Sequence, residues 1–194
     1  MNKFHDIFGP GSNLETRIVR DYSAISERVR ACRDLGLKVV LTSGTYDLPH
    51  EGHQRYLEIA KNHGDVLIVG VDNDEKVKAR KGSHRPFDSE MQRMEMLCHS
   101  RHPDLVFLKK LEDLKWQLIK AILPDVLIAT EGTYRPEEIE ALQEFCKEVV
   151  VLPPQAATST TSKFRIILKN SLGGLRQKFQ EVIDLLDELS GGVQ

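Results

Sequence analysis

The stretch LTSGTYDLPHEGHQRYL, residues 41–57, decides how this chain is read. An apolar run stops in it, a glycine turn follows, and two histidines flank one glycine as His50-Glu51-Gly52-His53. Leading into it, LKVVLT (37–42) is too short for a helix and apolar on both faces, the pattern of a strand buried in a parallel sheet. Leading out of it, HQRYLEIAKNHG has the spacing of an amphipathic helix that ends at Gly64. The motif therefore stands where a strand hands over to a helix. Gly44 permits a sharp turn or the close approach of a ligand. His50 and His53, three apart at a helix start, can share a face, and Gly52 leaves room for a planar base or a phosphate against the main chain. A helix N-terminus adds N–H groups and peptide dipoles that favour anions. Imidazoles placed there can donate to a phosphate that gains charge in its transition state. One such histidine is more often structural, but a pair around a glycine directly after a buried strand points to function.

The same unit recurs along the chain. DVLIVGV (65–71), DLVFL (104–108), DVLIA (125–129) and EVVVL (148–152) read as further buried strands. Between them lie the helical stretches SEMQRMEMLCHS, LEDLKWQLIKAIL and PEEIEALQEFCKE, and Ser23 is placed to cap an earlier helix with Ile25 and Val29 inward. This alternation predicts an α/β chain: a three-layer α/β/α Rossmann-like sandwich on a parallel sheet, plus a C-terminal amphipathic helix. The expected organisation is an N-terminal arm over 1–16, one domain over 17–170 and a helical tail over 171–194. Segments 42–53, 72–86, 130–135 and 153–162 all follow strands, so a parallel sheet can gather them at one crevice. In the tail, Leu175, Phe179, Val182, Leu186 and Leu189 alternate steps of four and three, an a/d stripe. It serves either packing on the chain's own domain or a homodimer contact, with Gly173-Gly174 as a candidate hinge.

Composition narrows the classes. The formal charge of −2 over 194 residues argues against a non-specific nucleic-acid binder. No apolar run approaches the roughly 18 residues of a membrane span, and the first residues lack a signal-peptide core. Cys32, Cys98 and Cys146 are odd in number and scattered, as suits reduced thiols, so a soluble cytoplasmic protein is expected. CHSRH (98–102) is not a complete metal-ligand set.

Gly44-Thr45-Tyr46-Asp47 followed by His50-x-Gly52-His53 resembles the motif of the HxGH nucleotidyltransferase (cytidylyltransferase-like) superfamily. The resemblance implies transfer of a nucleoside monophosphate from a triphosphate to a phosphorylated acceptor, with release of pyrophosphate. It assigns His50 and His53 to the α-phosphate and leaving group, and Thr42, Gly44, Thr45, Tyr46, Asp47 and Gly52 to nucleotide binding. KARKGSHRPFDSEMQR (78–93) resembles the segment that supplies phosphate-binding lysines and an arginine from the next helix, which gives Lys78, Lys81 and Arg93, with Arg85 beside the substrate. On its own this stretch can also be read as a solvated basic loop. TSTTSK (158–163) can simply cap a helix; the resemblance places Ser159, Thr160 and Thr161 on the β- and γ-phosphates. Mg²⁺ is expected to travel with the nucleoside triphosphate.

Within the superfamily, RPFDSEMQRMEML and ILPDVLIATEGTYRPEEI (122–139) are similar to the adenylyltransferase module of bacterial ADP-heptose synthases, which act on ATP and heptose 1-phosphate. GTYD is closer to the glycerol-3-phosphate cytidylyltransferases, whereas PPQAA (153–157) lacks the arginine those enzymes carry before their hydroxyl turn. Thr130-Glu131-Gly132-Thr133-Tyr134 stands where the heptose group has Lys-Gly-Gly-Asp-Tyr, so the loop charge differs; Glu131 and Tyr134 are expected beside the acceptor. The expected function is transfer of AMP from ATP to a sugar phosphate, with His50, His53, Lys81 and Arg93 as the catalytic set. The alternatives are a cytidylyltransferase acting on CTP and glycerol 3-phosphate or another polyol phosphate, and a non-catalytic nucleotide sensor on the same fold.

Overall fold

The computed structural model describes residues 11–155 and 160–190. They fall into two compact units, Met1–Ala156 and Ala157–Gln194.

In the first unit six parallel strands form one sheet: β1 (Ile18–Val19), β2 (Val39–Gly44), β3 (Val66–Asp72), β4 (Leu105–Lys109), β5 (Val126–Thr130) and β6 (Glu148–Leu152), in the order β1-β4-β3-β2-β5-β6. Alternate strand residues feed two separate cores, as the period-two pleat requires. Val39, Leu41, Val66, Ile68, Leu105, Phe107 and Leu127 enter one. Val40, Leu67, Val69, Val71, Val106, Val126 and Ile128 enter the other. The first core is covered by α2 (Tyr22–Asp34) through Ile25, Val29 and Cys32, and by α6 (Gln117–Ile122) through Leu118, Ile119 and Ile122. The second is covered by α3 (Glu51–Lys61) through Leu57 and Ala60, and by α5 (Glu90–His99) through Met94, Leu97 and Cys98. The result is the expected three-layer, Rossmann-like sandwich. Burying each such aliphatic side chain is worth about 1.5–3 kcal/mol, so covering both faces supplies most of the drive to fold.

Several local expectations shift. Asp21, not Ser23, caps α2, its carboxylate accepting from the Ala24 N–H at 2.9 Å. β1 is only two residues long and pairs with β4, too short for any period to show in the sequence. A short helix, α1 (Leu14–Arg17), precedes it within the stretch expected to be arm. Helix α4 (Asp74–Lys81) occupies the stretch that reads as a basic loop; Asn73 caps it, and Val77 is its one buried residue, so it carries no apolar stripe. The helix expected over LEDLKWQLIKAIL is confined to α6, because Asp113 accepts the Lys110 N–H in a turn and Trp116 enters at φ 61°. Helix α7 (Pro136–Leu142) completes this unit.

The second unit is one helix, α8 (Thr160–Ser190), which runs through Gly173-Gly174 without a hinge. Leu175, Phe179 and Val182 of its stripe are exposed; the side chains of Leu186 and Leu189 lie outside the described residues. Among the described residues no helix is long and apolar enough to cross a membrane. The three cysteines are free and buried.

The connectivity places a reversal at β2: β3 lies on one side of it and β5 on the other. Ligands of open α/β sheets bind outside the carboxyl ends of the strands at such a switch point. Here those ends are Gly44 and Thr130.

Candidate active site

The segment between β2 and α3 is held in an unusual backbone path. Tyr46 has φ 54° and Leu48 φ 48°, left-handed conformations that cost non-glycine residues energy. Burial offsets part of this: the Tyr46 ring is inside the core and lies directly against Gly44, where a Cβ would meet its Cε2 at 3.0 Å. Gly44 therefore makes room for Tyr46 rather than for a ligand. The Tyr46 ring in turn stands 5.6 Å from that of His53, and burial raises its phenol well above the usual range.

His50 is the N-cap of α3. Its Nδ1 accepts from the Gly52 N–H at 3.1 Å, while the His53 Nδ1 accepts from the His50 N–H at 3.3 Å. The pair forms a reciprocal capping box built from imidazoles. An Nδ1 that accepts a hydrogen bond holds a lone pair, so the proton of each neutral ring sits on Nε2 and makes Nε2 a donor. The two rings are 4.2 Å apart between centroids and tilted by 43°. Capping thus fixes both tautomers and both ring orientations. Gly52 is buried, and its N–H is engaged by His50.

The remaining motif residues brace this corner. Thr42 is fully buried, its hydroxyl 2.7 Å from that of Tyr56, tying β2 to α3. The Asp47 carboxylate accepts from the N–H groups of Phe87 and Asp88 at 2.9 and 3.1 Å, and from Arg85 at 2.7 Å. Arg85, assigned to substrate binding by resemblance, is thus paired with Asp47, and its guanidinium stacks 4.3 Å over the Phe87 ring. Arg93 departs further from its assignment. It is fully buried and donates to the carbonyls of Thr45 (2.6 Å), Asp72 (2.8 Å) and Asp88 (3.1 Å) and to the Asp74 carboxylate (2.8 Å). A planar guanidinium can fork towards several segments at once. Here it clamps the β2–α3 loop, the end of β3, the start of α4 and the start of α5. The guanidinium thus lies buried beneath the motif, with acceptors supplied by the protein.

Exposed cations come from the last turn of α4, where they also complement the helix dipole. Lys78 and Lys81 are both exposed. The Lys81 ammonium pKa is lowered by partial desolvation and then by Arg80 and Arg85. Two further residues belong to this corner without having been singled out as site residues from the sequence. Arg80 donates to the Thr45 hydroxyl at 2.7 Å and pairs with Asp72 at 2.9 Å, and Asp72 is buried at the carboxyl end of β3. The strand-then-acid pattern of VGVDND would have marked Asp72.

On the other side of the switch point, Thr130–Thr133 forms a turn closed by the Thr133 N–H on the Thr130 carbonyl at 3.0 Å, with Gly132 at φ 78°. Glu131 is exposed there, while Tyr134 is half-buried against the first core, its phenol pushed up to about 12 by burial. Ser159 lies outside the described residues, and Thr160 and Thr161 are described only as the first backbone positions of α8.

The chain has known relatives. The family model Cytidylyltransferase-like matches residues 41–169. The bifunctional protein HldE of Cronobacter sakazakii is 39% identical over 156 residues, covering 79% of this chain and 32% of that protein. The HldE protein of Chromohalobacter salexigens is 40% identical over 149 residues, covering 75% of this chain and 31% of that one. The chain thus spans about a third of the length of these curated relatives. Among solved structures, a lipopolysaccharide core biosynthesis protein from Thermoplasma volcanium superposes with TM-score 0.53 at 23% identity, covering 60% of this chain and 97% of that one. Pantoate-beta-alanine ligase from Francisella tularensis gives TM-score 0.54 at 15% identity, covering 70% of this chain and 66% of that one. At those identities the two structures speak for the fold alone. With its histidine pair capping α3 at the switch point and a family match over most of the sandwich, the chain belongs to the cytidylyltransferase-like family.

Proposed function

We propose that this protein is a nucleotidyltransferase that moves AMP from ATP to a phosphorylated sugar of the heptose 1-phosphate kind, releasing pyrophosphate. The observation that carries the reading is the imidazole capping box, whose two Nε2–H donors are fixed at the N-terminus of α3 beside the carboxyl end of β2. The likeness to HldE proteins supports ATP and a sugar phosphate over other substrates.

In this reading an oxygen of the acceptor phosphate attacks the α-phosphorus in line. The bond from that phosphorus to the bridging oxygen breaks, and pyrophosphate departs with the electron pair. The attacking oxygen is ionised at neutral pH, so alignment and charge neutralisation do the catalysis and no strong base is needed. His50 and His53 donate through Nε2 to the α-phosphoryl oxygens as charge shifts toward the leaving group. Lys78 and Lys81 offset the charge of pyrophosphate; for Ser159, Thr160 and Thr161 the phosphate-binding part is the one the resemblance implies. Arg93, with Tyr46 and Asp47, positions the loop. Mg²⁺ enters as part of the triphosphate substrate, keeping its own waters; the motif carboxylates Asp47 and Asp72 are already bonded to Arg85, Arg80 and Lys109.

Thr45 in GTYD favours a second reading, a cytidylyltransferase acting on glycerol 3-phosphate or another polyol phosphate. Mass spectrometry of the product separates the two. With ATP and CTP supplied together, an ADP-sugar from heptose 1-phosphate is expected. A CDP-polyol from glycerol 3-phosphate would replace the first reading with the second. Nucleotide binding without any product from either acceptor would make the chain a sensor.

A further inference from the structure

A cleft of about 120 Å³ lies at the carboxyl ends of the strands, between Ser43 of β2 and Lys109 of β4. Its walls include Lys76, Asp113, Trp116 and Tyr134. That volume is well below the ~300–1,000 Å³ typical of pockets for drug-sized ligands, so it suits a small polar group rather than a nucleoside triphosphate.

The lining has a definite chemistry. Lys76 and Lys109 bring two ammonium groups to the same cleft. The Lys76 Nζ donates to the Lys110 carbonyl at 3.0 Å, and the Lys109 Nζ to Asp72 at 3.2 Å. An ammonium has three N–H bonds, so each lysine keeps donors for a ligand. The Lys76 pKa is lowered first by desolvation and then by Lys109, with Asp72 and Asp113 offsetting part of the shift. The Asp113 Oδ2 accepts from the Tyr22 hydroxyl at 2.7 Å and from the Lys110 N–H at 2.8 Å, which leaves Oδ1 to accept from a ligand hydroxyl. Trp116 supplies an aromatic wall and is held at φ 61°, a strained conformation of the kind that gathers at functional sites. Gly70 on β3 makes room for the side chains that line the cleft: a Cβ there would come within 2.7 Å of Leu118 Cδ2 and Ser43 Oγ and 2.8 Å of Lys109 Cδ.

Two links tie the cleft to the nucleotide motif. Ser43 immediately precedes Gly44, and Lys109 shares Asp72 with Arg80, which donates to Thr45. We infer that this cleft is the acceptor subsite: it takes the phosphate monoester of a small sugar or polyol, with the phosphate on Lys76 and Lys109, a hydroxyl on Asp113 and the apolar face against Trp116. This rests on the nucleotidyl-transfer reading above, and it replaces Arg85 and Glu131 as acceptor contacts, keeping Tyr134. Lys76 comes from α4 and Lys109, Asp113 and Trp116 from one stretch, 109–116, that begins at the end of β4.

The test is titration of the full chain, saturated with a non-hydrolysable ATP analogue, with heptose 1-phosphate and with glycerol 3-phosphate, so that binding is read without turnover. Wild type is expected to bind at least one of them. Lys76→Gln and Asp113→Asn are expected to weaken that binding at least tenfold, leaving the affinity for the ATP analogue and the melting temperature unchanged. Trp116→Phe, which keeps an aromatic wall, is expected to weaken it less. Acceptor binding within twofold of wild type in both Lys76→Gln and Asp113→Asn would overturn the subsite. So would equal losses of acceptor and analogue binding, or the failure of wild type to bind either phosphate ester. Acceptor binding that follows the expected pattern without product formation would leave the subsite standing and defeat the transferase reading instead.

Discussion

Replacing His53 with Asn is expected to lower turnover by about 10²–10³-fold, the usual consequence of removing one oriented donor from a developing oxyanion. The structure allows this effect to be separated from loss of fold. His53 has two jobs: its Nδ1 accepts the His50 N–H, and its Nε2–H is the donor assigned to the phosphate. Asn keeps a short acceptor at the third helical position and withdraws the longer-reaching donor. His53→Ala removes both, adding about 1 kcal/mol of lost capping. The two variants should therefore be similarly slow in pyrophosphate release, while only the alanine form melts measurably earlier. An asparagine variant with near wild-type turnover would relieve His53 of any chemical role.

Arg93→Met is expected to cost about 3–5 kcal/mol of stability, the range seen when one partner of a buried ionic network is deleted. Methionine fills much of the volume but donates nothing. The carbonyls of Thr45, Asp72 and Asp88 lose their donor, and the Asp74 carboxylate loses its cation. Lysine retains the charge yet cannot fork to all four acceptors, so Arg93→Lys should recover only part of the loss. Urea denaturation measures both. A methionine variant within about 1 kcal/mol of wild type would be no worse than an ordinary point mutation and would contradict the clamp.

What the sequence revealed follows from how local each feature is. Short β-branched runs announce the strands, and all five such runs lie in the sheet, although β6, at its edge, is only half-buried and exposes Val151 instead of being buried on both faces. The two-residue β1 is defined only by its pairing with β4, and α4 only by the Asn73 cap and one buried valine. Neither leaves a periodic trace. The histidine motif was legible because cap, glycine and imidazoles fall within four residues. Arg93 was legible as a residue but not in its part. Its acceptors lie at positions 45, 72, 74 and 88, brought together only by the turns after β2 and β3. Asp47 and Arg85 satisfy one another across 38 positions, which neither motif discloses alone. Lys109 looks like an ordinary basic residue at a strand end until the sheet sets it beside Asp72 and Lys76.

The most direct measurement is a time course of pyrophosphate release from ATP by the full chain with heptose 1-phosphate, run beside His53→Asn and beside a reaction lacking the acceptor. Release is expected to require the acceptor, to equal the ADP-sugar formed mole for mole, and nearly to vanish in the variant. Release that proceeds equally without the acceptor, or that persists at wild-type rate in His53→Asn, would contradict nucleotidyl transfer at this histidine pair.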